Sequence, residues 1–91
     1  MNFMKVAILY RPNSEHGRRV EEFIHDYKSR HADKQLEVVN IDTRDGASMA
    51  NLYGVVQYPA ILVLQADGYA QKIWQGESLP LMDEVVAYSH V

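Results

Sequence analysis

The sequence predicts an α/β domain of order β-α-β-α-β-β-α, a mixed four-stranded sheet flanked by helices. Three observations predict it. Short β-branched and aromatic runs alternate with stretches of helical periodicity. One run, Ala60-Ile61-Leu62-Val63-Leu64, is apolar throughout, as a strand covered on both faces must be. Asp67-Gly68 follows it directly, a hairpin signal that makes the last two strands antiparallel.

Each element can be justified in order. Lys5 to Tyr10 is a short buried strand, closed by the turn residues Arg11-Pro12-Asn13. Ser14 suits the cap of a following helix. Val20, Phe23, Ile24, Tyr27 and His31 then fall on one helical stripe, with Glu21, Glu22, Asp26 and Lys28 outside it. Leu36 to Ile41 reads as a second strand, and the strand–helix–strand unit as a right-handed parallel crossover. Asp45 is expected to cap a second helix that carries Met49, Leu52 and Tyr53 and stops at Gly54. The apolar run after Tyr58-Pro59 is placed centrally in the sheet. Ala70 to Gln75 returns from the hairpin, with Ile73 on the face opposite Lys72 and Trp74. Ser78 is expected to cap a last helix with Pro80 in its first turn, and Leu81, Met82, Val85, Val86 and Ser89 as its inner stripe.

Composition bounds the function. Ninety-one residues, 47% of them hydrophobic, make one domain with one modest core. A net charge of −3 gives no basic footprint for nucleic acid. No apolar run is long enough for a signal peptide or a membrane span, so a soluble cytoplasmic protein is expected. There is no cysteine, so the chain cannot carry out dithiol–disulfide exchange with its own side chains.

The element order resembles thioredoxin and glutaredoxin domains, and two segments carry the resemblance. Gly54-Val55-Val56-Gln57-Tyr58-Pro59, the central strand and Asp67-Gly68 are similar to the thioredoxin segment in which a Gly-Val-x-x-x-Pro run precedes that strand. Trp74 and Gly76 fall where the family often ends its fourth strand. The resemblance implies a thioredoxin-like fold and a cis bond at Tyr58–Pro59. The second segment, Tyr10 to Gly17, resembles the loop in which the family carries Cys-x-x-Cys. It lays Ser14 on the nucleophilic cysteine and Gly17 on the resolving one, with Ser-Glu-His-Gly in place of the motif. Ile8 falls where thioredoxins keep a buried acid. A weaker similarity runs to the KaiB clock proteins, which share a thioredoxin-like first half and a Pro-Asn-Ser run like Pro12-Asn13-Ser14.

Several side chains are candidates for function. In the family, the residue before the cis-proline pairs through its backbone with an extended peptide, so the resemblance implies a peptide groove at Tyr58 and Pro59. Tyr10 and Tyr58 are candidate aromatic contacts beside it, against the plainer reading that both pack locally. Ser14 beside His16 suggests a nucleophile and base, but no orienting acid is evident, and a capping role suits serine better. Arg11, His16, Arg18 and Arg19 cluster at a helix start and form a generic anion site, or else a solvated face with pairs such as Arg18–Glu22. His16, His25, His31 and His90 show no metal-ligand spacing, and Asp42, Asp45 and Gly46 lack the pattern of a calcium loop. No cofactor and no metal are expected.

Three functions remain open. The first is a redox-inactive binding or adaptor module for a protein or peptide partner. The second is an enzyme using the thiol of bound glutathione, activated by Ser14 or Tyr10. The chain lacks the Gly-Gly motif of glutaredoxins and the helical domain of glutathione transferases. The third is a KaiB-like regulator of an ATPase. Oligomeric state is not legible in the sequence.

Overall fold

A computed structural model describes residues 4–76 and 78–89. Its elements are β1 (Lys5–Tyr10), α1 (Gly17–Arg30), β2 (Gln35–Asn40), α2 (Arg44–Leu52), β3 (Ala60–Leu64), β4 (Ala70–Gln75) and α3 (Met82–Ser89). The sheet order is β2-β1-β3-β4. β1 pairs parallel with β2 and antiparallel with β3, and β3 pairs antiparallel with β4. This is the expected α/β architecture, with the apolar run of β3 in the interior of the sheet.

Strand alternation divides the core in two. Val6, Ile8, Tyr10, Ile61 and Val63 point to one face, where Val20 and Tyr27 of α1 and Val85 of α3 cover them. Ala7, Leu9, Ala60, Leu62 and Leu64 point to the other, against Ala50 of α2. β1 and β3 are therefore apolar at nearly every position because both faces are covered. β2 and β4 are edges and carry more polar residues. A register shift between Val63 and Leu64 skips Gln71 in β4. That extra residue turns Ala70 toward the α2 face while Trp74 stays on the α1 and α3 face.

The helix starts differ from expectation. α1 begins at Gly17, not beyond a Ser14 cap, because residues 12–16 form a separate turn and His16 stands at the N-cap. The cap of α2 is Thr43, not Asp45: the Thr43 backbone is extended and its Oγ1 accepts the Gly46 N–H at 3.0 Å. α3 begins at Met82, so Ser78 and Pro80 lie before it. Leu81 occupies its cap position, where the Glu84 carboxylate accepts the Leu81 N–H at 3.2 Å, half of a capping box. Leu81 is consequently 71% exposed and not part of the inner stripe, and Leu52 of α2 is likewise outside the core at 75%. Gly54 does end α2 as expected, one residue past the Tyr53 cap at φ 67°. No helix of the described residues is long and apolar enough to cross a membrane.

Candidate functional site

The candidate residues lie at the end of the sheet where β1 stops and β3 starts. Register pairs Leu9 with Ala60, which places Tyr10 and Pro59 side by side just beyond the ladder. The loop from Arg11 to Gly17 is tied to itself. The Arg11 N–H donates to His16 Nε2 at 3.1 Å, and the Ser14 hydroxyl donates to the Arg11 carbonyl at 2.5 Å. The Gly17 N–H donates to the Ser14 carbonyl at 3.1 Å. Gly17 itself is buried against the turn: a Cβ there would lie 2.2 Å from the Pro12 carbonyl oxygen. Only glycine allows the helix start to approach Pro12 this closely.

This arrangement bears on each proposed chemistry. Ser14 and His16 are not a nucleophile–base pair, since each is bonded to a different backbone group of Arg11. Burial, and then the positive charges of Arg19 and Arg11, hold the His16 imidazole below its usual pKa. Tyr10 is a core residue at 6% exposure, not an open contact. Its hydroxyl donates to Glu21 at 3.1 Å, and burial first, then that carboxylate, pushes its pKa up. The basic residues do not converge as an anion site. The Arg11 guanidinium is held by Asp42 at 3.0 Å and Arg18 reaches Glu22 at 3.9 Å. Arg19 makes no ion pair among the described residues. His25 is exposed and His31 closes α1, while His90 lies outside the described residues. No group of three or more His, Cys, Asp or Glu able to hold a metal occurs among the described residues.

The second half of the site is the segment from Val55 to Pro59. The Tyr58–Pro59 peptide bond is cis. The Gln75 side-chain oxygen accepts both the Val56 N–H at 2.9 Å and the Gln57 N–H at 3.1 Å, clamping the segment to the end of β4. The Pro59 carbonyl accepts the Gly76 N–H at 3.1 Å. Among the described residues, no hydrogen bond ends on the main chain of Tyr58. The Tyr58 side chain is half-buried against the α2 face, and Val56 stands 78% exposed. Sequence reasoning missed Gln75 and Val56. Gln75 gives no signal, since its partners lie 18 and 19 residues earlier. A glycine in the first turn of a helix was the available hint of the Gly17–Pro12 contact. At the opposite end of the sheet, a groove of about 430 Å³ runs between α2 and the hairpin, lined by Met49, Leu52, Tyr53 and Ala66. The Tyr53 hydroxyl donates to the Gly68 carbonyl at 2.6 Å and ties those two elements together.

No family model matches the sequence, and no curated protein matches it. Solved structures do match. A thioredoxin from Fasciola hepatica superposes with a TM-score of 0.78 at 14% identity, covering 96% of this chain and 81% of that one. Thioredoxin f2 from Chlamydomonas reinhardtii gives 0.72 at 11% identity, covering 96% and 76%. Oxidised thioredoxin O2 from Arabidopsis thaliana gives 0.71 at 12% identity, covering 93% and 71%. The fold is thioredoxin-like.

Proposed function

We propose that this chain is a redox-inactive thioredoxin-like binding module that takes an extended segment of a protein partner along Tyr58 and Pro59. One observation carries the reading. Among the described residues nothing bonds the main chain of Tyr58, while the amides just before it are fixed by Gln75. A donor and an acceptor on a clamped, non-helical backbone are what strand-like peptide recognition uses. Val56 supplies an exposed apolar contact next to them, and Ser14 and His16 border the same pole from the neighbouring loop. In this reading Ser14 and Gly17 stand at the positions of the family's two cysteines, and with no cysteine anywhere the chain keeps the scaffold without the thiol chemistry. The glutathione alternative finds no support in the geometry. Both hydroxyls it needs are engaged elsewhere, Tyr10 with Glu21 and Ser14 with Arg11.

The test is selection of peptides on the immobilised protein, followed by mapping amide shifts with the selected sequence. Shifts should centre on Val56, Gln57 and Tyr58. Gln75→Ala, which frees the segment, should weaken binding about tenfold, on the order of the two hydrogen bonds it removes. Peptides that map elsewhere and bind Gln75→Ala equally well would refute the reading.

A further inference from the structure

The loop between β1 and α1 closes on a bond that only a neutral imidazole can make. His16 Nε2 accepts the Arg11 N–H at 3.1 Å, so it carries a lone pair and the ring's proton sits on Nδ1. In the protonated ring both nitrogens are donors. Nε2–H would then face N–H across hydrogen-bond distance, and attraction would become repulsion. Two further ties close the same loop. The Arg11 carbonyl accepts the Ser14 hydroxyl, and the Ser14 carbonyl accepts the Gly17 N–H.

We infer that His16 is a proton-operated latch: the neutral imidazole holds the loop from Arg11 to Gly17 closed, and protonation in the mildly acidic range releases it. The groups around the ring favour this sense. From β1, the Tyr10 ring lies 6.4 Å away between centroids, with its hydroxyl committed to Glu21. From the loop comes the Arg11 guanidinium, paired with Asp42, and from α1 comes Arg19. Glu15, the adjacent residue, is exposed. No carboxylate pairs with His16 among the described residues. Partial burial and positive neighbours both disfavour the imidazolium in the closed loop.

The sign follows. The closed form binds the proton less readily than the open form. Its stability is fully present above the ordinary imidazole pKa of about 6.5 and is lost as pH falls from there through the lower closed-form value. Across that window the opening constant rises by up to tenfold per pH unit. That the latch would govern partner access at Tyr58 rests on the proposed function; the latch itself does not.

A pH titration of the full chain by NMR, from 8 to 4.5, tests it without any partner. The His16 ring should titrate below 6.5, and the Arg11, Ser14 and Gly17 amides should shift with the same midpoint. Arg11 amide exchange, corrected for its intrinsic pH dependence, should rise by up to tenfold per unit. These amides should not follow His25 or His31. In His16→Phe, which has no acceptor, the Arg11 amide should be unprotected at every pH, with no step. The latch is overturned if Arg11 ignores the His16 titration, if His16 titrates at or above 6.5, or if His16→Phe keeps Arg11 protected. A failed latch leaves peptide binding measurable at fixed pH, and absent peptide binding leaves these amide shifts unchanged.

Discussion

Replacing Gly17 with alanine puts a methyl group where the chain has already placed a carbonyl. The new Cβ would lie 2.2 Å from the Pro12 oxygen, 3.0 Å from its carbon and 3.3 Å from the Arg11 oxygen. All three are backbone atoms, so no rotamer change relieves the contact. The turn must withdraw by about 1 Å to reach an ordinary carbon–oxygen separation. That movement loosens the ties among Arg11, Ser14, His16 and Gly17, each worth about 1 kcal/mol net. Two or three lost bonds give about 2–3 kcal/mol, in the range seen when well-packed sites are overfilled. The better helix propensity of alanine returns up to about 1 kcal/mol. The net expectation is a loss of about 2 kcal/mol. For a domain of this size that lowers Tm by about 8–16 °C. Urea unfolding followed by circular dichroism reads it as a lower midpoint at unchanged slope. A variant as stable as the parent, or more stable by the propensity gain, would refute the close approach of α1 to Pro12.

Two further substitutions test assignments made above. Tyr27 is fully buried, and among the described residues its hydroxyl makes no hydrogen bond, although the Ser89 side chain approaches it. Tyr27→Phe should therefore keep stability or raise it by about 1 kcal/mol, and a loss of that size in thermal unfolding would show that the hydroxyl is bonded. Thr43→Ala should cost about 1 kcal/mol as the loss of an N-cap, whereas Asp45→Ala, one turn position inside the helix, should cost only a few tenths. Equal losses in urea unfolding would put the cap in the wrong place.

Strand content and the central place of β3 were legible from hydrophobicity, and the antiparallel last pair from the Asp67-Gly68 turn. Ala60 to Leu64 is apolar at every position, and both its faces are covered. The helix stripe from Val20 to Tyr27 was legible for the same reason. Helix starts were read less well. Ser14, Asp45 and Ser78 all have side chains that favour caps, but capping depends on the backbone conformation of one residue, which composition does not encode. The site was hardest. Tyr10 reads as a binding aromatic or a core aromatic equally well, and only the depth of β1 under α1 decides between them. The Gln75 clamp and the Arg11–Asp42 pair join residues distant in sequence that carry no pattern of their own. The thioredoxin resemblance pointed to one pole of the molecule, and the proposed peptide recognition rests on the backbone geometry there.

The contact between Gly17 and Pro12 also bears on how easily the missing chemistry could return. With Ser14 and Gly17 read as the cysteine positions, two codon changes would restore the residue pattern. They would not restore the mechanism, since the second cysteine's Cβ would collide with the Pro12 carbonyl before its sulfur found any partner. A two-thiol motif at these positions would therefore require the turn at Pro12 to move as well as the side chains to change, and a side-chain exchange at Gly17 alone would leave the pair strained.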